Sequence, residues 1–245
     1  MKPTVQTIAN GTYASTLHAM LRHDLIAGVL TPGKRLRIKD VCERYEVGLS
    51  PAREALNRLA AEGFLIQTDH RGFAVAEISR ADLMDLTKVR SALNDFALRD
   101  SILNGSEEWA EQVVLAFHRM SREPRFDPAG MRRSNPEWDR RHRDFHAALL
   151  SGSASTRLAQ YCGHLFDQME RYRALAAGLS IRGTMERVAK EHREIMDATL
   201  DRNADLACRL LREHLERTSQ KLLDNWDSLE GVYSTDHAGA PIQAS

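Results

Sequence analysis

Between residues 12 and 27 apolar positions recur every three or four residues. Leu17, Met20, Leu21 and Leu25 share one face and Gly28 follows as a stop, which predicts a helix. LTPGKRL is a turn built on Pro32-Gly33, RIKDVCERYEVG a short second helix, and LSPAREALNRLAAEG a third, ended by Gly63. In the third, Ser50 is placed to cap the N-terminus and Pro51 suits the first turn. FLIQT and GFAVAEI are then two short β-prone runs flanking Asp69-His70-Arg71, a small hairpin. Helix, short helix, helix, hairpin is the order of a winged helix-turn-helix.

From Ser79 the strand signals stop. SRAD reads as a capping box opening a long helix to about Leu103. Further helical periodicity spans about 106–121, 135–150, 155–177, 184–201 and 203–229, with a Pro- and Gly-bearing loop, EPRFDPAGMRRSNPE, after the first of these. The expected fold is mainly α: a winged helix-turn-helix over 1–77, a bundle of about six helices over 78–230, and a small, polar tail over 231–245 that composition marks as disordered.

Composition narrows the class. With 42% hydrophobic residues and 28% charged, the 245-residue chain can bury a core. No apolar run approaches membrane-spanning length and the first residues lack a signal-peptide core, so a cytoplasmic protein is expected. Cys42, Cys162 and Cys208 are far apart and read as reduced thiols. Net charge is zero, but residues 1–77 hold 10 Lys/Arg against 8 Asp/Glu, and Lys34, Arg35, Arg37 and Lys39 crowd six positions.

In the third helix Ala52, Ala55, Leu56 and Leu59 face inward, leaving Arg53, Asn57 and Arg58 outward. Such a helix can enter a major groove, where Arg forks onto guanine, while the tip His70-Arg71-Gly72 sits over the adjacent minor groove. The competing reading is a solvated face with salt bridges to Glu54 and Glu62.

The histidines carry a second signal. In RHRDFH, His142 and His146 lie four apart, on one helical face about 6 Å from each other, where two imidazoles can share a metal ion. His192 and His214 stand equally far on either side of the turn at Asp201–Ala204, so an antiparallel hairpin brings them level. Four imidazoles can then converge from three helices. Taken singly, each is more readily an ordinary surface or core histidine.

Arg90 lies among Leu83, Leu86, Leu93 and Ala97 on an apolar stripe, where a guanidinium needs an anion: an acidic ligand or a structural Asp or Glu. Gln168 and Tyr172, four apart, are candidate polar contacts for the same ligand, though Tyr172 equally suits a core.

GVLTPGKRLRIKDVCERYEVGLSPAREALNRLAAEGFLIQTDHRGFAVAEI resembles the DNA-binding domain of GntR-type bacterial regulators, through P-x-R-E-A-L-x-R-L-x-x-E-G at Pro51–Gly63 and R-G-x-x-V at Arg71–Val75. The resemblance implies DNA contacts at Lys39, Ser50, Arg53, His70, Arg71 and Gly72. Leu49 stands where the family commonly has Arg, and Gly48 where it has Ser or Thr. The bundle is similar to the FCD effector domain of the FadR branch, through F-H-x-A-L at Phe145–Leu149, E-H at Glu191-His192 and L-L-R-E-H-L at Leu210–Leu215. Many members hold a metal with one Asp and three His. The Asp position corresponds to His142, so the resemblance implies His142, His146, His192 and His214 as ligands to a divalent ion, Zn with Ni the alternative.

It also implies a homodimer on operator DNA, Arg90 facing a small carboxylate effector, and repression as the default activity. FDQMERYR is further similar to the carbon-starvation-induced regulator group, which points to glutarate or a related C5 acid. Four neutral imidazoles leave a dication uncompensated, so an anion should be drawn to it.

A metal-dependent enzyme is the rival class. RHRDFH lacks the HExxH glutamate, four His complete a tetrahedral shell, and no G-x-S-x-G, P-loop or Rossmann fingerprint is present. A DNA-binding module with a purely structural metal stays open as the third reading.

Overall fold

The computed structural model describes residues 13–68, 72–126, 135–176 and 185–228. The expected arm at 1–10, the hairpin tip with His70 and Arg71, and the tail at 231–245 lie outside them. Arg80–Asn225 form one compact unit, and the other described residues group as a second.

The N-terminal unit runs α1 (Tyr13–Ile26), β1 (Arg35–Leu36), α2 (Ile38–Tyr45), α3 (Leu49–Ala61), β2 (Leu65–Thr68) and β3 (Gly72–Val75). Leu17, Leu21 and Leu25 of α1 are buried with Ala52, Ala55, Leu56 and Leu59 of α3, the inward face expected of it. The sheet has three antiparallel strands in the order β1-β3-β2, not the two of a hairpin alone. Arg35 pairs with Ala74 and Leu36 with Phe73. A two-residue strand is too short to show alternation, which is why the sequence reads it as part of the turn. Gly72 opens β3 at φ 94°, where a Cβ would stand 3.0 Å from the Leu36 carbonyl, so a side chain there is disfavoured twice over.

One expectation needs correcting. Ser50 is not the cap of α3: Gly48 is, its extended backbone accepting the Ala52 N–H at 3.2 Å. The helix starts one residue earlier than Ser50, which places Leu49 and Ser50 in its first turn.

The second unit comprises α4 (Arg80–Asn104), α5 (Glu107–Ser121), α6 (Pro136–Leu150), α7 (Thr156–Ala176), α8 (Met185–Leu200) and α9 (Ala204–Asp224). Ser106 caps α5 by accepting from the Trp109 N–H, and Asn135 caps α6, followed by Pro136 in its first turn. α8 and α9 form an antiparallel hairpin turned by Arg202 in the left-handed region, with Asn203 capping α9. Leu98, Val113, Phe145, Leu149, Ile195 and Leu211 lie in one core cluster. Among the described residues no helix is long and apolar enough to cross a membrane.

Candidate functional site

The four histidines meet inside the helical unit. His142 and His146 project from one face of α6, and the α8–α9 hairpin sets His192 level with His214, their ring centres 4.6 Å apart. One ring nitrogen from each of the four lies within 4.8 Å of the others, and all four side chains are buried. Nitrogens around one tetrahedral ion stand about 3.4 Å apart, so the rings must draw together by up to about 1.4 Å to close on it.

Burial is the main reason the imidazoles of His142, His146 and His192 resist protonation, their pKa values lying well below the usual 6.5; neighbouring rings and Arg173 add to it. His214 is lowered too, against the pull of Glu191. The cluster is therefore neutral at pH 7, the protonation state in which imidazole binds metals. The buried Nε2 of His192 has no hydrogen-bond partner, an unmet acceptor that suits an ion. Four buried neutral imidazoles fit a divalent metal of intermediate softness.

Two side chains behind the rings escaped the sequence reading. Glu191 Oε2 accepts from His214 Nδ1 at 2.8 Å, the carboxylate-behind-histidine arrangement that orients a ligand and raises its basicity. Burial opposes the Glu191 charge, but His214, Arg217 and Arg187 hold the carboxyl below its usual range. His142 has the opposite neighbour: Arg173 Nη1 lies 3.0 Å from its Nδ1. A guanidinium can only donate, so Nδ1 accepts and the His142 proton sits on Nε2, 3.1 Å from His146 Nε2. Trp138 stacks on the same ring, centres 4.7 Å apart. Nothing in the spacing of α7 marks Arg173, since 142 and 173 meet only through tertiary packing.

Arg90 is 4% exposed, as its apolar stripe implied. Its guanidinium lies over Phe166, 5.0 Å from the ring centre, and its buried Nε has no hydrogen-bond partner. Burial lowers its pKa to about 10, so it remains a cation at pH 7. The anion that most supports it, Glu170, is itself paired with Arg173. Gln168 and Tyr172 have other partners: Gln168 Oε1 accepts from Arg171 at 3.2 Å, and the buried Tyr172 hydroxyl donates to Asp82. Cys162 and Cys208 are buried and all three cysteines are free thiols.

On the N-terminal unit Leu49, Ser50, Arg53, Glu54, Asn57 and Arg58 lie together on the exposed face of α3. The salt bridges that would make this a merely solvated face are not the ones formed. Glu62 pairs with His18 and Arg22, and Arg58 donates to Ser15 of α1. Lys39 is exposed on α2, 3.7 Å from Glu43.

The pH response follows from the buried imidazoles. An unfolded histidine protonates near 6.5, the folded ones well below it, so under that pH the unfolded chain binds more protons and folding is penalised. Stability of chelator-treated protein is expected to fall from about pH 6.5 downward, by roughly 1.4 kcal/mol per pH unit for each such imidazole. Thermal melts between pH 7.5 and 5.5 measure it, and a flat profile would mean the rings protonate freely.

A winged helix-turn-helix unit with an exposed polar face on α3, together with a separate helical unit holding a buried polar cluster, has the make-up of a DNA-binding transcription regulator. The chain belongs to the gntR family of bacterial regulatory proteins, which it matches over residues 13–75, with an FCD domain over 85–217. The uncharacterised HTH-type transcriptional regulator BphR of Paraburkholderia xenovorans is 39% identical over 201 residues, 80% of this chain and 79% of that protein. The HTH-type transcriptional repressor GlaR of Escherichia coli is 31% identical over 197 residues, 80% of this chain and 89% of that one. The solved structure of E. coli McbR/YncC shares the fold at TM-score 0.73 and 18% identity, covering 88% of this chain and 99% of its own. These families and relatives are transcription regulators and not enzymes, which disposes of the hydrolase reading.

Proposed function

We propose that this regulator is a cytoplasmic, homodimeric repressor. Its helical domain holds a divalent metal, Zn or Ni, on His142, His146, His192 and His214, and a small carboxylate effector bound beside them changes operator affinity. The division is residues 1–77 for DNA and 78–230 for effector and dimerisation, with 231–245 assigned to neither. Lys39, Ser50, Arg53 and the wing at His70, Arg71 and Gly72 contact operator DNA. Repression is taken from GlaR, a repressor by name.

The observation that carries the effector reading is the buried, incompletely bonded guanidinium of Arg90 acting on the same pocket as four neutral imidazoles. Glu191 stands behind His214 and Glu170 is paired with Arg173, so the positive charge left for an anion is that of Arg90 and, when bound, of the metal. When bound, the metal supplies a fixed positive charge for a carboxylate. Arg90 fixes a carboxylate by charge and two-pronged hydrogen bonding, while Trp138, Phe145 and Phe166 keep water from competing. Gln168 and Tyr172 are carried in this reading as further polar contacts of the effector, in exchange for the bonds they make to Arg171 and Asp82. C5 dicarboxylates such as glutarate are the first acids to try.

Calorimetry on metal-loaded protein tests this with Arg90→Met, which keeps the apolar stem. Loss of a buried charge-assisted pair predicts about tenfold to hundredfold weaker carboxylate binding with metal affinity retained. Undiminished carboxylate binding would remove Arg90 from the site.

Arg173 gives a test in the opposite direction. For His142 to ligate through Nε2 its proton must move to Nδ1, which faces the Arg173 guanidinium. Arg173→Met is expected to tighten zinc binding about tenfold by removing that opposition and a nearby positive charge. Competition with a chromophoric chelator reads the change, and weaker or equal zinc affinity would refute it.

The closed four-ligand shell favours a second reading, a structural metal with no effector. Under it, no small acid alters DNA affinity.

A further inference from the structure

Leu49 is the first residue of α3 and is 65% exposed, a large aliphatic side chain on a face otherwise made of Ser50, Arg53, Glu54, Asn57 and Arg58. It stands one and two helical turns before Arg53 and Asn57, on the same line along the helix. Reading helices contact base edges chiefly through their N-terminal residues, so a groove that admits Arg53 admits Leu49 at least as deeply.

A leucine in a major groove has only one good neighbour. It can neither donate nor accept, so laid against guanine, adenine or cytosine it dries polar edge groups and returns no hydrogen bond. Thymine alone among the four bases offers a methyl group there. We propose that Leu49 reads a thymine C5-methyl in each half-site of the operator, and so sets base preference where an arginine would select guanine. The contact rests on α3 being the reading helix.

The experiment uses full-length protein and an operator selected in vitro from random duplex DNA. Each thymine is replaced singly by deoxyuridine, which deletes the methyl and leaves pairing intact. One position per half-site is expected to lose about fourfold in affinity, the worth of one buried methyl. Leu49→Ala, at an exposed helical position where alanine is well tolerated, removes the contact in both half-sites and is expected to bind the thymine operator about sixteenfold more weakly and to ignore deoxyuridine at that position. Selection repeated with Leu49→Arg should replace the thymine by guanine.

Uniform indifference of the wild type to deoxyuridine overturns the proposal, as does sensitivity that persists in Leu49→Ala. Arg53→Ala, run in parallel, separates the two levels. If it leaves base selectivity unchanged, α3 is not the reading helix. If it relaxes selectivity while the deoxyuridine scan stays flat, only the role of Leu49 fails.

Discussion

His146→Ala is expected to bind zinc about a hundredfold more weakly and to lose carboxylate binding with it. Structural zinc sites release on the order of 10–16 kcal/mol across four ligands, so one imidazole carries roughly 3 kcal/mol. His146 is the informative choice because its ring touches those of His142, His192 and His214 alike. Its removal also takes a buried polar group out of a dry site, so the fold should survive. Competition with a chelator gives the metal affinity and calorimetry with glutarate the other. A variant that takes up the acid normally, at unchanged zinc affinity, would show that the four rings hold no ion relevant to the effector.

The second large effect belongs to the DNA head. Arg53 is exposed on the outer face of α3, with neighbouring Arg58 drawn instead to Ser15 of α1. A bidentate arginine–guanine contact is worth roughly 1–3 kcal/mol against the wrong base, and a dimer makes it twice. Arg53→Ala should therefore cost about 2–6 kcal/mol on a full operator while leaving binding to random DNA weakened only by a lost charge. Competition binding at fixed salt separates the two. Equal losses on operator and random duplex would mean that α3 is not the reading helix.

How much of this could be read from the chain depends on the range of the interaction. Helix spans are local, and periodicity with stop signals placed their ends within about two residues, apart from α2, which ends at Tyr45 rather than 48, and α9, which ends at Asp224 rather than 229. His142 and His146 are also local, four apart on α6. His192 and His214 became legible through one tertiary assumption, that α8 and α9 fold back about their turn. Glu191 and Arg173 were missed because their partners lie on other helices at distances no period encodes. The cap of α3 was misplaced for a different reason: Ser50 is the better capping side chain, but Gly48 occupies the position where the backbone turns in. β1 escaped because pairing with β3, not its own two residues, makes it a strand.

The tautomer of His142 ties the imidazole cluster to Arg173. While Arg173 donates to Nδ1, it is held by His142 and Glu170. A ligand that engages His142 through Nε2 must disturb that arrangement, which connects the imidazole cluster to α7 and, through the Tyr172–Asp82 hydrogen bond, to the first turn of α4. Such a chain of contacts is a route by which occupancy can bias helix packing.

The most direct measurement is fluorescence anisotropy of zinc-loaded protein on its selected operator, titrated with glutarate and other small carboxylates, with and without a chelator. A regulator with a metal-held effector should shift its operator affinity at least fivefold with one acid, and chelation or His146→Ala should abolish the shift. Tight operator binding that no acid moves, in protein shown to carry zinc, would contradict the sensor and leave a metal that only holds the bundle together.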